Sequence, residues 1–200
     1  RPRTTGASSR HGSCIGSCAT RKAGDPDAVT ADATALDAMP AREFVAAVGP
    51  LFENAPDFLF RLAAARPFGS IARLVTRARE IAHAMPEALQ VELVDAHPRL
   101  GAPPASVSAM SFREQGYDQG AAENLAGEAA RERERVAAEL DRLNREYEAR
   151  FGFRYCVFVA GRSRAELLPD MAAALEAPRD TELHRAIDAV MDIAEARARG

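Results

Sequence analysis

The chain has 200 residues, 47% of them hydrophobic, and a formal net charge of -3. That is enough for one domain of ordinary size with appendages. The weak negative balance excludes a general attraction to nucleic acid or an anionic membrane surface, and no apolar run is long enough to span a bilayer. There is no tryptophan, so leucine, valine and phenylalanine must fill the core.

Residues 1–38 differ from the rest. Arg1, Arg3, Arg10, Arg21 and Lys22 stand among Ser, Thr and Gly, and Asp25, Asp27, Asp32 and Asp37 follow among small residues. So few large apolar side chains cannot offset the entropy of ordering, and the segment reads as a disordered tail. It lacks the apolar centre of a secretory signal. His11, Cys14 and Cys18 offer three metal ligands, where a structural zinc needs four, so no metal is expected. Cys156 lies in an apolar run and reads as a buried thiol. Three cysteines make no disulfide framework, which fits a reducing compartment. The compact domain is expected to run over 39–200.

From Ala41 the periodicity is helical. Phe44, Val45, Val48, Leu51 and Phe52 form one stripe, and Pro56 opens a helix carrying Phe58, Leu59 and Leu62. Ser70 is placed to cap a helix with Ile71, Leu74, Val75, Ala78, Ile81, Ala82 and Met85 on its apolar side. His83 within it reads as a surface or packing residue. The next helix, from Pro86 to Ala96, buries Leu89 and Leu93. Pro98 removes a backbone donor and biases His97 away from the α region, so His97 should close this helix with its ring at the end.

After the irregular stretch through Gly101, Pro103 and Pro104, Ser111-x-x-Glu114 restarts a helix and doubles as a capping box. This would put a histidine at one helix end and a carboxylate at the start of the next. Such a pair can move protons without a metal. Taken alone, His-Pro is most simply a helix terminator and Ser-x-x-Glu a cap. A charged helix is predicted from about Ala122 to Arg150, with Val136, Leu140, Leu143, Tyr147 and Phe151 as its stripe. Gly152 suits its C-terminal turn. Tyr155 to Val159 reads as an extended segment with no partner strand, so its main-chain groups are open to a polar ligand. Ser163 and Glu166 form a second capping box for a helix with Leu167, Leu168, Met171 and Leu175. Beyond Pro178 a final helix from about Thr181 carries Leu183, Ile187, Val190, Met191 and Ala194. The expected architecture is all-α, a single-domain multi-helix bundle.

Seven short motifs occur in register: Glu53-x-Ala55-Pro56, Arg66-Pro67-Phe68, His97-Pro98-x-Leu100, Ser111-x-x-Glu114-Gln115, Leu143-Asn144-x-x-Tyr147 with Arg150-Phe151-Gly152-Phe153, and Ile193-Ala194-x-x-Arg197. Together they resemble the family of 2-oxo-4-hydroxy-4-carboxy-5-ureidoimidazoline (OHCU) decarboxylases of uric acid breakdown. The resemblance implies a cofactor-free carboxy-lyase that turns OHCU into (S)-allantoin. It implies that His97 is the catalytic histidine and Glu114 its acidic partner. Pro98, Ser111, Gln115, the backbone of Tyr155, Cys156, Val157, Phe158 and Val159, and the guanidinium of Arg197 would bind substrate. It also suggests a homodimer. No nucleic acid or membrane partner is expected. The final residues are not a Ser-Lys-Leu address, so a cytoplasmic location is the default.

The family pattern has proline where this chain has Arg154, and leucine where it has Ala198. Two rival readings remain at this level. One is an inactive helical interaction module built on the same fold. The other is an unrelated hydrolase with Ser111 as nucleophile beside His97 and Glu114.

Overall fold

The computed structural model describes residues 33–117 and 127–199. Among them are nine α-helices and no strand: α1 (Ala33–Ala38), α2 (Ala41–Val48), α3 (Pro56–Ala64), α4 (Ile71–Ala84), α5 (Glu87–Asp95), α6 (Ala109–Glu114), α7 (Glu128–Phe151), α8 (Arg164–Ala174) and α9 (Arg179–Arg199). The all-α expectation holds. His11, Cys14, Cys18 and the predicted start of the long helix at 122–126 lie outside the described residues.

The C-terminal helix α9 organises the fold. It packs on α4, α5 and the 3₁₀ turn Gly49–Phe52. Leu183, Ala186, Ile187, Val190, Met191 and Ala194 are all buried along it. A helix apolar around so much of its circumference must be enclosed by others. Around it, Phe44, Phe52, Phe58, Leu62, Leu74, Leu93, Leu143 and Leu167 close one continuous core. At the far end of α7, Tyr147 meets Phe151, Phe153 and Tyr155 with ring centroids 4.6, 5.7 and 5.1 Å away. This aromatic cluster fixes the path of the chain as it leaves α7, and Gly152 takes the left-handed turn that stops the helix (φ 77°).

Two expectations need correction. Residues 33–38 are not part of a disordered tail. They form α1, with Leu36 buried, and Asp37 accepts hydrogen bonds from the backbone N–H groups of Phe68 (2.9 Å) and Gly69 (2.7 Å). Arg66 ties the same segment down by donating to the carbonyl of Met39 at 2.5 Å. Three alanines in six residues helped disguise the segment, since they carry helix propensity but little apolar bulk.

The second correction concerns α6. Ser108, not Ser111, caps it: the Ser108 hydroxyl accepts from Ser111 N–H at 3.1 Å. Glu114 therefore ends this helix instead of starting it. The other predicted caps form. Ser70 accepts from Arg73 N–H, and Ser163 and Glu166 make both bonds of a capping box. The stripe from Phe44 to Phe52 is split, because Pro50 tightens its second half into the 3₁₀ turn.

Candidate active site

One cavity of about 140 Å³ gathers the expected site residues. Its lining includes His97, Pro98, Ser111, Glu114, Gln115, Arg197 and the whole stretch Tyr155 to Gly161. That volume is far above the roughly 10–15 Å³ a single water requires and is suited to a small ligand.

His97 stands just beyond the end of α5, where Pro98 stops the helix. It is 4% exposed. Its Nδ1 lies 3.2 Å from the Leu93 carbonyl, a contact that requires Nδ1 to carry the proton. The lone pair is then on Nε2, which has no partner among the described residues. Burial first, and then the nearby charge of Arg197, depress the imidazole to a pKa of about 4, against an opposing pull from Glu53. At neutral pH the ring is thus an uncharged base with one free nitrogen at a ligand-sized hole.

Glu114 is not the acid that orients His97. It forms a two-point ion pair with Arg197, Nε to Oε1 at 2.6 Å and Nη2 to Oε2 at 2.7 Å. Arg197 in turn does not present a free donor. Its Nη2 also donates to Glu53 at 2.8 Å and to Ser111 Oγ at 3.0 Å, and its Nη1 to the carbonyls of Pro50 and Leu51. All five N–H bonds of the fork are occupied. The expected direct His97–Glu114 pairing is replaced by a cluster in which the arginine is central.

Glu53 is the member that sequence reasoning passed over. Its motif was part of the resemblance, but nothing marked the carboxylate as a site group. It receives Ser111 Oγ at 2.6 Å and Ser108 Oγ at 2.9 Å besides Arg197. Burial alone would raise its carboxyl pKa. The bonds from Ser111, Arg197 and Ser108 outweigh burial and bring it below the ordinary value. Glu53 and Asn54 both adopt left-handed backbone (φ 48° and 60°), which non-glycine residues do at a cost of about 1–3 kcal/mol. Gly49 permits this turn, since a Cβ there would sit 2.5 Å from Asn54 Oδ1. Gln115 holds the loop after His97 by accepting from Gly101 N–H at 2.8 Å.

The cavity is also lined by the extended run from Tyr155 to Val159. Among the described residues, none of its backbone N–H groups finds an acceptor. Arg154, where the family pattern has proline, uses the donor that proline lacks: its N–H gives to Asp95 Oδ1 at 2.8 Å. Its guanidinium reaches the carbonyls of Asp95 and His97 at 2.7 and 3.1 Å. The substitution is therefore built into the site. Burial pushes the Cys156 thiol up to about 12, so it stays protonated and inert. Ser111 gives its hydroxyl proton to Glu53, which leaves it ill placed as a nucleophile for His97 to activate. Among the described residues no cluster of three or more His, Cys, Asp or Glu side chains could hold a metal ion.

Comparison with known proteins shows the family. The family model "OHCU decarboxylase" matches residues 37–199. The uric acid degradation bifunctional protein PucL of Bacillus subtilis is 32% identical over 162 residues, covering 81% of this chain and 31% of that protein. The chain thus spans about a third of that bifunctional relative. The 2-oxo-4-hydroxy-4-carboxy-5-ureidoimidazoline decarboxylase of Haloferax volcanii is 28% identical over 154 residues, covering 77% of this chain and 86% of that one. A crystal structure of OHCU decarboxylase in the presence of (S)-allantoin shares the fold, with a TM-score of 0.55 at 22% identity over 75% of this chain and 92% of the other. With a family model spanning nearly all the described residues, this chain belongs to the OHCU decarboxylase family.

Proposed function

We propose that this protein decarboxylates OHCU to (S)-allantoin without a cofactor. The observation that carries the reading is the unpartnered Nε2 of a buried, neutral His97. It stands at a cavity also lined by Glu114, Arg197 and the stretch Tyr155–Val159, whose backbone N–H groups find no acceptor among the described residues.

The substrate needs little beyond positioned proton transfer. The bond to its carboxylate breaks, CO₂ leaves, and the electron pair moves through the adjacent ring C=N to its nitrogen, which takes a proton from solvent. The resulting enol collapses to a carbonyl as its hydroxyl proton leaves and a proton arrives on the neighbouring carbon. Nε2 of His97 is the base for the hydroxyl proton, and once protonated it is the acid for one face of the carbon. Those N–H groups of the extended run that face the cavity supply neutral donors to the substrate's oxygens. Glu114 is the outer of the two carboxylates on Arg197, with 31% side-chain exposure against 9% for Glu53. It is the one placed to accept from N–H groups of the ureido arm. Arg197 acts through Glu114 and through its charge, which helps keep His97 neutral. We further propose that the active species is a homodimer, as the resemblance implies, and that it is cytoplasmic.

The test is the absorbance decay of freshly made OHCU with chiral detection of allantoin. The wild type should accelerate decay and give the S product, and His97→Asn should lose about 10²–10⁴-fold in kcat with unchanged helical circular dichroism. Full stereospecific turnover by His97→Asn would remove the imidazole from the mechanism.

A further inference from the structure

The extended wall of the cavity is a loop segment without a partner strand, so something other than a sheet must hold it. Two arginines outside the cavity do so from behind. Arg185 on α9 donates Nη1 to the carbonyl of Cys156 at 3.0 Å. Arg162 donates Nη2 to the carbonyl of Phe158 at 2.9 Å and Nε to that of Val159 at 3.2 Å. In an extended chain the main-chain groups of residues i and i+2 face the same side, so Cys156 and Phe158 are gripped along one edge. The main chain of Val157, between them, is left to the other.

Each arginine is itself anchored. Arg185 gives Nε to Glu182 at 2.8 Å, and its guanidinium lies over the Tyr155 ring, 4.8 Å from the centroid. Glu182 is 2% exposed and also receives the hydroxyl of Tyr147 at 2.5 Å. Arg162 pairs with Asp170 on α8 at 2.8 Å. A planar, multi-donor fork can hold a carboxylate and a carbonyl at once, which a lysine does less well.

We propose that Arg162 and Arg185 are positioning residues for the reaction, which fix the edge carrying the Cys156 and Phe158 carbonyls and the turn that follows Val159, and so aim the opposite edge, with Val157, at the substrate. This rests on the decarboxylase reading for its kinetic consequence, but not for its structural one. The consequence is a loss of substrate affinity with the chemistry at His97 intact.

The test uses the full chain and three variants: Arg162→Met, Arg185→Gln and Arg185→Lys. For Arg162→Met, KM for OHCU should rise roughly tenfold while kcat stays within about twofold of wild type, the pattern of lost uniform binding. Arg185→Gln should behave alike, and Arg185→Lys should recover part of the KM. In the substrate-free protein, amide order parameters of Val157 to Val159 should fall from about 0.85 toward 0.6 in Arg162→Met, with the helices unaffected. If Arg185→Gln does not fold, Arg162→Met decides alone. Unchanged KM and unchanged order parameters in a folded Arg162→Met would overturn the proposal while leaving the decarboxylase reading in place. A wild type that does not turn over OHCU would sink that reading, and the order parameters would still decide whether the arginines hold the wall.

Discussion

The depressed basicity of His97 gives the sharpest prediction, and the perturbation is pH. An ordinary histidine, with a pKa of about 6.5, is roughly 90% protonated at pH 5.5 and useless as a base. With its pKa at about 4, His97 is only about 3% protonated there. The acid limb of kcat/KM, which reports groups of the free enzyme, should therefore lie near pH 4–5. Activity at pH 5.5 should stay within about twofold of that at pH 7. The assay is the initial rate of OHCU decay from pH 4.5 to 8 with the spontaneous rate subtracted, beside an NMR titration of the imidazole. The same shift bears on stability. The unfolded chain takes up this proton near 6.5 and the folded chain only near 4, so the contribution is complete above 6.5 and disappears as pH falls toward 4. A gap of that size corresponds to about 3 kcal/mol. Glu53, whose carboxyl is also depressed, adds a loss in the same direction below its ordinary range. An apparent pKa near 6.5 in both kinetics and NMR would refute the reasoning, because it would mean that His97 is neither desolvated nor under the influence of Arg197.

Arg197→Met should destabilise the protein by about 3–5 kcal/mol in denaturant melts, since it strands Glu53 and Glu114 without their cation. Gly101→Ala should cost about 1–3 kcal/mol by the same measurement: its φ is 81°, and the new Cβ would lie 2.6 Å from Leu140 Cδ2. Asp37→Ala should cost about 1–2 kcal/mol by leaving the Phe68 and Gly69 amides unpaired, and should speed proteolysis near Gly69; no change would return α1 to the tail. Arg154→Met should lower kcat more than it raises KM, because that guanidinium holds the carbonyl of His97 itself.

Local signals were read well from the sequence and long-range ones were not. Apolar spacing located α3, α4, α5, α8 and α9, because a helix in a bundle must bury one stripe and the stripe is written in neighbouring residues. Pro98 announced the position of His97 for the same reason. The pairing of Glu114 was misread because His97 is its obvious neighbour in sequence, whereas its actual partner, Arg197, lies 83 residues on. No periodicity reports such a contact. Ser108 and Ser111 both precede helical residues at capping distance, and only the demand of Glu53 on the Ser111 hydroxyl separates them. Glu53 itself was hidden because its direction depends on two left-handed residues in succession, a conformation that neither Glu nor Asn advertises.

The cluster around Arg197 joins the turn at Glu53, the middle of the chain at Ser111 and Glu114, and the last turn of α9. A polypeptide still being synthesised has no such cluster until Arg197 has emerged, because that residue is the cation at its centre. Nor can a partly folded intermediate be partly active, since residues 53 and 197 must meet before the histidine has its surroundings. Turnover thus doubles as a check on complete folding, and damage confined to the last turn should silence the protein while most of its helices persist.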